Sequence, residues 1–257
     1  MTQAGTTASV VKYLRPRAFP TPFCAGCGHG ILLGAILRAV DELHLDFSQM
    51  LFVSGIGCGG WIPSPHFDTD TLHVTHGRPV AFATGAKLVK PELNVVVVSG
   101  DGDLVSIGGN HLIHAARRNL DLTVICANNA VFGMTGGQVT PTTPLGARTL
   151  TTPGGNLERP FDLSRLVEAA GATYVARYSV WHVLELIRSI KTALLHEGFA
   201  FVEVLSTCPT QFGRRNENPT PIGMLRALKH DCISAEKAAQ LSREELGGRT
   251  IIGELVS

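Results

Sequence analysis

A three-layer α/β domain with a parallel central sheet is the fold class this sequence predicts, and three observations carry it. Short runs of apolar, largely β-branched residues recur with little polar interruption, as in strands buried on both faces: Met50–Ser54, Val95–Val98, Leu122–Ala127 and Phe199–Leu205. Stretches of helical length and amphipathic pattern separate them, the order expected of parallel strands joined by crossover helices. The first three runs give way to glycine- or asparagine-rich turns, where a backbone can bend sharply and come close to a ligand.

Residues 1–15, mostly small and polar, read as a poorly packed arm. Pro16, Pro20 and Pro22 keep the chain extended up to Cys24-Ala25-Gly26-Cys27. A helix follows over about Ile31–Leu43, its core face made by Ile31, Leu32, Ala35, Ile36 and Val40. The strand Met50–Ser54 runs into Gly55-Ile56-Gly57-Cys58-Gly59-Gly60. Residues 61–78 carry His66, His73 and His76 without a helical period and read as a functional or partner-facing loop, with His66 and His73 turned to the partner. Pro79 starts a helix that has ended by Pro91. Val95–Val98, a helix over about Leu104–Asn119 and Leu122–Ala127 form a strand–helix–strand unit. Between 136 and 160, glycines and prolines spell a long structureless loop, a lid or docking segment. Asp162 caps a helix stopped by Gly171. Ala172–Arg177 is a strand, Ser179 caps a helix to His196, and Phe199–Leu205 is the next strand. A short helix near Ile222–Lys229 and an amphipathic one over Ser234–Leu246 follow. The main domain is read as 16–230, with 231–257 a helical tail.

Composition narrows the function. Hydrophobic residues make up 44% of the 257 and charged residues 17%, enough for a large core. A net charge of +1 argues against nucleic acid as a main partner. No apolar run reaches membrane-spanning length, and the N-terminus lacks the pattern of a signal peptide, so a cytoplasmic location is expected. Six cysteines in that setting point to metal ligands or buried thiols rather than disulfides.

Two constellations carry chemistry. In an open parallel sheet, ligands bind off the carboxyl ends of the strands. Asp101, in Gly100-Asp101-Gly102, and Asn129, in Asn128-Asn129, stand at two such ends, with residues 103–127 between the motifs. Both are hard oxygen ligands suited to Mg²⁺, which commonly accompanies phosphate, so the local reading is a metal–diphosphate site. The second constellation is cysteine. Cys24, Cys27, Cys58 and Cys208 each lie in a glycine- or proline-rich turn near a strand end or helix start, a set able to hold zinc or a [4Fe–4S] cluster. Cys126 lies inside an apolar strand and reads as a buried thiol; Cys232, in the tail, reads as a bystander.

Gly-Asp-Gly, the spaced Asn-Asn, and Gly133-Met134-Thr135-Gly136-Gly137-Gln138 together resemble the thiamine-diphosphate motif of the β subunits of 2-oxoacid:ferredoxin oxidoreductases, over about residues 15–225. The resemblance implies the thiamine-diphosphate-binding fold, with Asp101, Asn129 and the Val131 carbonyl holding Mg²⁺. It implies that Gly102, Asp103, Gly133, Met134 and Thr135 touch the diphosphate. It places Ile56, Gly57, Cys58 and Gly59 against the thiamine, and His76 near diphosphate and substrate as a catalytic donor. It also decides the cysteines in favour of one [4Fe–4S] cluster on Cys24, Cys27, Cys58 and Cys208; His29 is read, from its place directly after the knuckle alone, as a donor to a cluster sulfur.

The expected reaction is CoA-dependent oxidative decarboxylation of a 2-oxoacid, with electrons leaving through the cluster to ferredoxin. The run from Gly133 through Pro141-Thr142-Thr143-Pro144 looks most like the 2-oxoglutarate branch, giving succinyl-CoA and CO₂. The alternatives are pyruvate or a branched-chain 2-oxoacid as substrate, or a zinc-stabilised, non-catalytic nucleotide-binding subunit. Some relatives have at position 136 a lysine linked to CoA; Gly136 cannot supply that charge. Arg214-Arg215 is either plain surface or a dock for an acidic ferredoxin or a CoA phosphate. No glutamate here has the context to activate the thiamine ring, so an α subunit is expected to supply it with much of the substrate and CoA site, in an (αβ)₂ assembly.

Overall fold

The structure, a computed structural model, describes residues 10–257. The sheet forms where the apolar runs lie. β1 (Met50–Ser54), β3 (Asn94–Gly100), β4 (Leu122–Asn128), β5 (Tyr174–Ser179) and β6 (Phe199–Leu205) are parallel. β2 (Asp70–His73) adds a parallel edge strand beside β1. The described sheet has eight strands in the order β2-β1-β3-β4-β6-β5-β8-β7.

Alternation along the strands divides the core in two. Phe52, Val96, Val98, Ile125, Ala176 and Val202 face one layer with α1 (His29–Glu42) and α5 (Val183–Leu195). Val53, Val95, Val97, Val124, Val175 and Phe201 face the other, with α2 (Pro79–Val89), α3 (Gly109–Arg117) and α4 (Leu163–Ala170). These are the predicted three layers, and both faces are apolar because both are covered.

Several elements differ from expectation. The helix after β3 opens as a π-helical segment, Gly102–Ile107, before α3 begins. The stretch 61–78 contains β2, and His66 within it is fully buried, its Nδ1 2.7 Å from the Trp61 carbonyl, so it does not face a partner. Ser179 ends β5 rather than capping a helix; His182 occupies the N-cap of α5. The loop 136–160 is packed inward, with Thr140, Thr142, Thr143, Thr149 and Asn156 all buried.

The tail is not a helical appendage. After α6 (Pro221–Asp231), β7 (Cys232–Ser234) and β8 (Thr250–Val256) extend the sheet, β8 running antiparallel to β5. Only single helical turns, α7 (Ala235–Ala238) and α8 (Arg243–Leu246), lie between them. Of the expected N-terminal arm, residues 1–9 lie outside the described residues; Val10–Tyr13 is a 3-10 turn, and Leu14 pairs with Phe67.

Candidate functional site

Strands β1, β3, β4 and β6 are neighbours in the sheet and parallel, so their carboxyl ends share one edge. Gly55–Gly60, Asp101–Asp103, Asn128–Thr135 and Ser206–Cys208 all leave from that edge. Residues up to 150 positions apart in the sequence therefore meet.

Asp101 is 1% exposed. One oxygen accepts from the hydroxyls of Thr140 at 2.7 Å and Thr142 at 2.6 Å, and the other from the Asn129 N–H at 3.4 Å. Burial pushes its carboxyl pKa up, and the two threonine hydroxyls oppose that. All three donors are neutral. A buried carboxylate supported only by neutral donors could hold a cation. Beside it the chain turns: the Val131 N–H donates to the Asn129 side-chain oxygen at 3.2 Å, and Thr143 Oγ1 donates to the Ala130 carbonyl at 2.8 Å. Asp101, Asn129 and Val131 are thus brought together.

Asp103 has a different task. Its Oδ1 accepts from the Ile56 N–H at 3.2 Å and the Gly77 N–H at 2.7 Å, and lies 2.5 Å from His76 Nδ1; its Oδ2 accepts from Ser99 Oγ at 2.8 Å. The carboxylate ties the Gly55–Gly57 and His76–Gly77 loops to β3. Gly55 is required for this: a Cβ there would lie 1.9 Å from Asp103 Oδ2. The tie also fixes the His76 ring, which packs edge-on to Phe132 with 5.8 Å between centroids. His73, by contrast, is exposed on β2 with Nδ1 3.0 Å from Ser54 Oγ.

The four predicted thiols converge. Ionising Cys27, Cys58 or Cys208 is opposed by neighbouring groups, and Cys24 acts on all three. Burial pushes Cys27 up to about 12 and Cys58 up to about 11, with the other thiols adding to the rise. Cys208 moves the same way from burial, although the Gln211 and Phe212 N–H groups point at its sulfur. Thiols held so strongly protonated become ligands only by exchanging protons for a positively charged group. All six cysteines are free. Among the described residues, no three His, Cys, Asp or Glu side chains come close enough for one metal ion.

The knuckle is stapled to the end of β6. The Gly28 N–H donates to the Thr207 carbonyl at 3.1 Å, and Thr207 Oγ1 donates to the Gly26 carbonyl at 3.0 Å. His29 is fully buried with Nδ1 3.2 Å from Ser206 Oγ, and its backbone N–H, not its ring, addresses the Cys27 sulfur.

Gly133 joins the two constellations. A Cβ at this position would lie 3.6 Å from Cys208 Sγ, 3.7 Å from Cys58 Sγ and 3.9 Å from Asn129 Nδ2. Met134 is exposed, and Thr135 Oγ1 donates to Gln138 Oε1 at 2.6 Å, closing a tight loop over Phe132–Gln138. Ile56 and Gly57 are open at the edge, while Gly59 lies under the turn, where a Cβ would be 2.6 Å from the Gly100 nitrogen. Arg215 clips this region to itself, donating to the Gln211 and Gly136 carbonyls at 2.6 and 3.4 Å; only Arg214 is exposed. That Thr140 and Thr142 support Asp101, Ser99 supports Asp103 and Thr143 holds the Ala130 carbonyl escapes sequence reading, since a hydroxyl in a proline-rich loop or a buried strand has no periodic signature.

Residues 55–204 match the thiamine pyrophosphate enzyme C-terminal TPP-binding domain. The chain is 53% identical over 244 residues to the 2-oxoglutarate synthase subunit KorB of Methanothermobacter marburgensis, covering 95% of this chain and 85% of that one. It is 44% identical over 191 residues to a 2-oxoacid:ferredoxin oxidoreductase subunit beta of Saccharolobus solfataricus, covering 73% and 62%. A solved 2-oxoglutarate:ferredoxin oxidoreductase from Magnetococcus marinus, with 2-oxoglutarate, coenzyme A and succinyl-CoA bound, superimposes with a TM-score of 0.85 at 33% identity, covering 99% of this chain and 87% of that one. With a parallel sheet whose edge gathers the Gly-Asp-Gly and Asn-Asn turns, and with these relatives, the chain belongs to the thiamine pyrophosphate enzymes, among the β subunits of 2-oxoacid:ferredoxin oxidoreductases and most like the 2-oxoglutarate branch.

Proposed function

We propose that this chain, with an α subunit, catalyses the CoA-dependent oxidative decarboxylation of 2-oxoglutarate to succinyl-CoA and CO₂, passing electrons to ferredoxin. The observation that carries the reading is the adjacency at Gly133: the backbone between the oxygen-ligand turn and the thiols is narrow enough that one Cβ would touch both. Thiamine diphosphate supplies a sink for the electron pair left when a 2-oxoacid loses CO₂, and a [4Fe–4S] cluster accepts electrons singly.

The chain's own residues fit that division of labour. Asp101, the Asn129 amide oxygen and the Val131 carbonyl are the hard donors for Mg²⁺, and the burial of Asp101 among neutral hydroxyls favours a cation there. The N–H groups of Gly102, Asp103, Gly133, Met134 and Thr135 are the donors for a diphosphate. Asp103 accepts from His76 Nδ1–H, which leaves Nε2 as the ring atom able to move a proton at the substrate. Cys24, Cys27, Cys58 and Cys208 are the cluster ligands, supported by N–H groups of His29, Gln211 and Phe212. The glutamate that activates the thiamine, and much of the substrate and CoA site, come from the α subunit, in an (αβ)₂ assembly.

The test is anaerobic. The chain is purified with its α subunit, and viologen reduction is followed with CoA and, in turn, 2-oxoglutarate, pyruvate and 2-oxoisovalerate. CoA-dependent reduction fastest with 2-oxoglutarate is the expected result. Faster reduction with another acid moves the substrate, and none with any acid, in protein containing iron and thiamine diphosphate, sinks the reading.

A further inference from the structure

A buried ion pair lies behind the Asn129–Val131 turn and has no part in the mechanism so far. Glu203, in the middle of β6, is 3% exposed, and Arg177, its registered neighbour on β5, is 8% exposed. Arg177 Nε donates to Glu203 Oε2 at 2.7 Å, and its other nitrogens reach Asp162 and the Ile251 carbonyl. Ser164 Oγ donates to the same Glu203 oxygen at 3.0 Å. Removing a carboxylate from water inside a sheet is expensive even when it is paired.

The free end of Glu203 points at the site. Its Oε1 accepts from Asn128 Nδ2 at 2.8 Å. That bond fixes which way the amide faces, so Asn128 Oδ1 accepts from the Ala130 N–H at 3.1 Å. Ala130 is left-handed, with φ 60°, a conformation a non-glycine residue holds only when its surroundings impose it. The next residue is Val131.

We propose that Asn128 and Glu203 are positioning residues for the metal–diphosphate site: Arg177 and Ser164 fix Glu203, Glu203 sets the Asn128 amide, and that amide holds Ala130 in the left-handed turn that presents Asn129 and the Val131 carbonyl to the metal. The inference rests on the assignment of Asp101, Asn129 and Val131 as the metal's ligands.

Reversing one hydrogen bond tests it. In Glu203→Gln the side-chain carbonyl stays with Arg177 and Ser164, so its NH₂ meets the Asn128 NH₂, donor against donor. In Asn128→Asp two carboxylates meet. In the double variant the Gln NH₂ donates to the Asp carboxylate, whose other oxygen still accepts from Ala130. Binding of thiamine diphosphate at varied Mg²⁺ is measured by calorimetry on the αβ enzyme, with the melting temperature and iron content of each variant. Each single variant should bind about 10–100-fold more weakly, the usual scale for a group that orients a metal ligand, and the double variant should return to within about threefold of wild type. If either single folds poorly, Asn128→Ala, which buries no new charge, carries the same expectation of weakened binding. Singles that melt lower but bind as wild type, or a double variant no better than the singles, overturn the positioning role. Wild-type enzyme without Mg²⁺-dependent binding fails the site assignment itself, and this inference with it.

Discussion

Replacing Asp103 tests how the catalytic edge is held together. The carboxylate is 2% exposed and accepts from the Ile56 and Gly77 N–H groups and Ser99 Oγ, with His76 Nδ1 2.5 Å away. In Asp103→Ala, Ile56 is open enough for water to replace the lost acceptor, and the His76 ring can turn outward. Gly77 N–H and the fully buried Ser99 hydroxyl cannot easily do so. Two stranded buried donors, at about 1–3 kcal/mol each, put the cost at about 2–6 kcal/mol, a large part of a typical domain's stability. In Asp103→Asn the amide oxygen can serve the three donors on the Oδ1 side, and the Ser99 hydroxyl can rotate to accept from the new NH₂. Only the charge assistance is lost, about 1–2 kcal/mol. Urea unfolding followed by circular dichroism gives both values from the shift in midpoint at unchanged slope. The expected order is wild type, then Asn, then Ala, with thiamine diphosphate affinity following the same order because loops 55–57 and 76–77 share the tie. An Ala variant within about 0.5 kcal/mol of wild type, below the cost of even one stranded donor, would falsify the account.

Two further outcomes follow from the same geometry. Thr142→Val keeps the side-chain shape and removes the donor 2.6 Å from Asp101, so Mg²⁺ affinity in thiamine diphosphate binding should fall about 10–100-fold, and a titration superimposable on wild type refutes the link. Burial lowers the pKa of His29 from 6.5 to about 4, so its stabilising contribution is whole above pH 6.5 and is lost as pH falls toward 4. That loss is about 3 kcal/mol, and unfolding free energies of wild type and His29→Asn at pH 7 and pH 4 should diverge by that order; parallel declines would show that His29 does not titrate as its burial requires.

What could be read from the sequence, and what could not, divides along a physical line. The doubly buried strands were legible because Val95–Val98 or Phe199–Leu205 must be apolar at every position to sit between two helix layers. β8 was not: it is an antiparallel strand only partly buried, it contains Gly253 with φ 142°, and it follows a Glu- and Arg-rich stretch whose pattern favours helix. The residues proposed as ligands could be singled out as well, since thiols in glycine turns and an aspartate at a strand end are visible by chemistry and place. The supports were not, because support depends on where a hydrogen bond points. Asp101 and Asp103 make the contrast plain. They are two residues apart in one Gly-Asp-Gly-Asp run, both are buried, and residue type alone offers either to a metal or a diphosphate. The fold separates them by their donors. Asp103 accepts from two backbone amides, a hydroxyl and a histidine, drawn from three segments, so its lone pairs are committed to the chain. Asp101 accepts from two hydroxyls that can rotate away and from one backbone N–H at 3.4 Å, so fewer of its lone pairs are committed to the chain. Of two like carboxylates, then, the one with the weaker internal claims on it is the one we propose as the metal ligand, and the one with the stronger claims ties together the loops beside it.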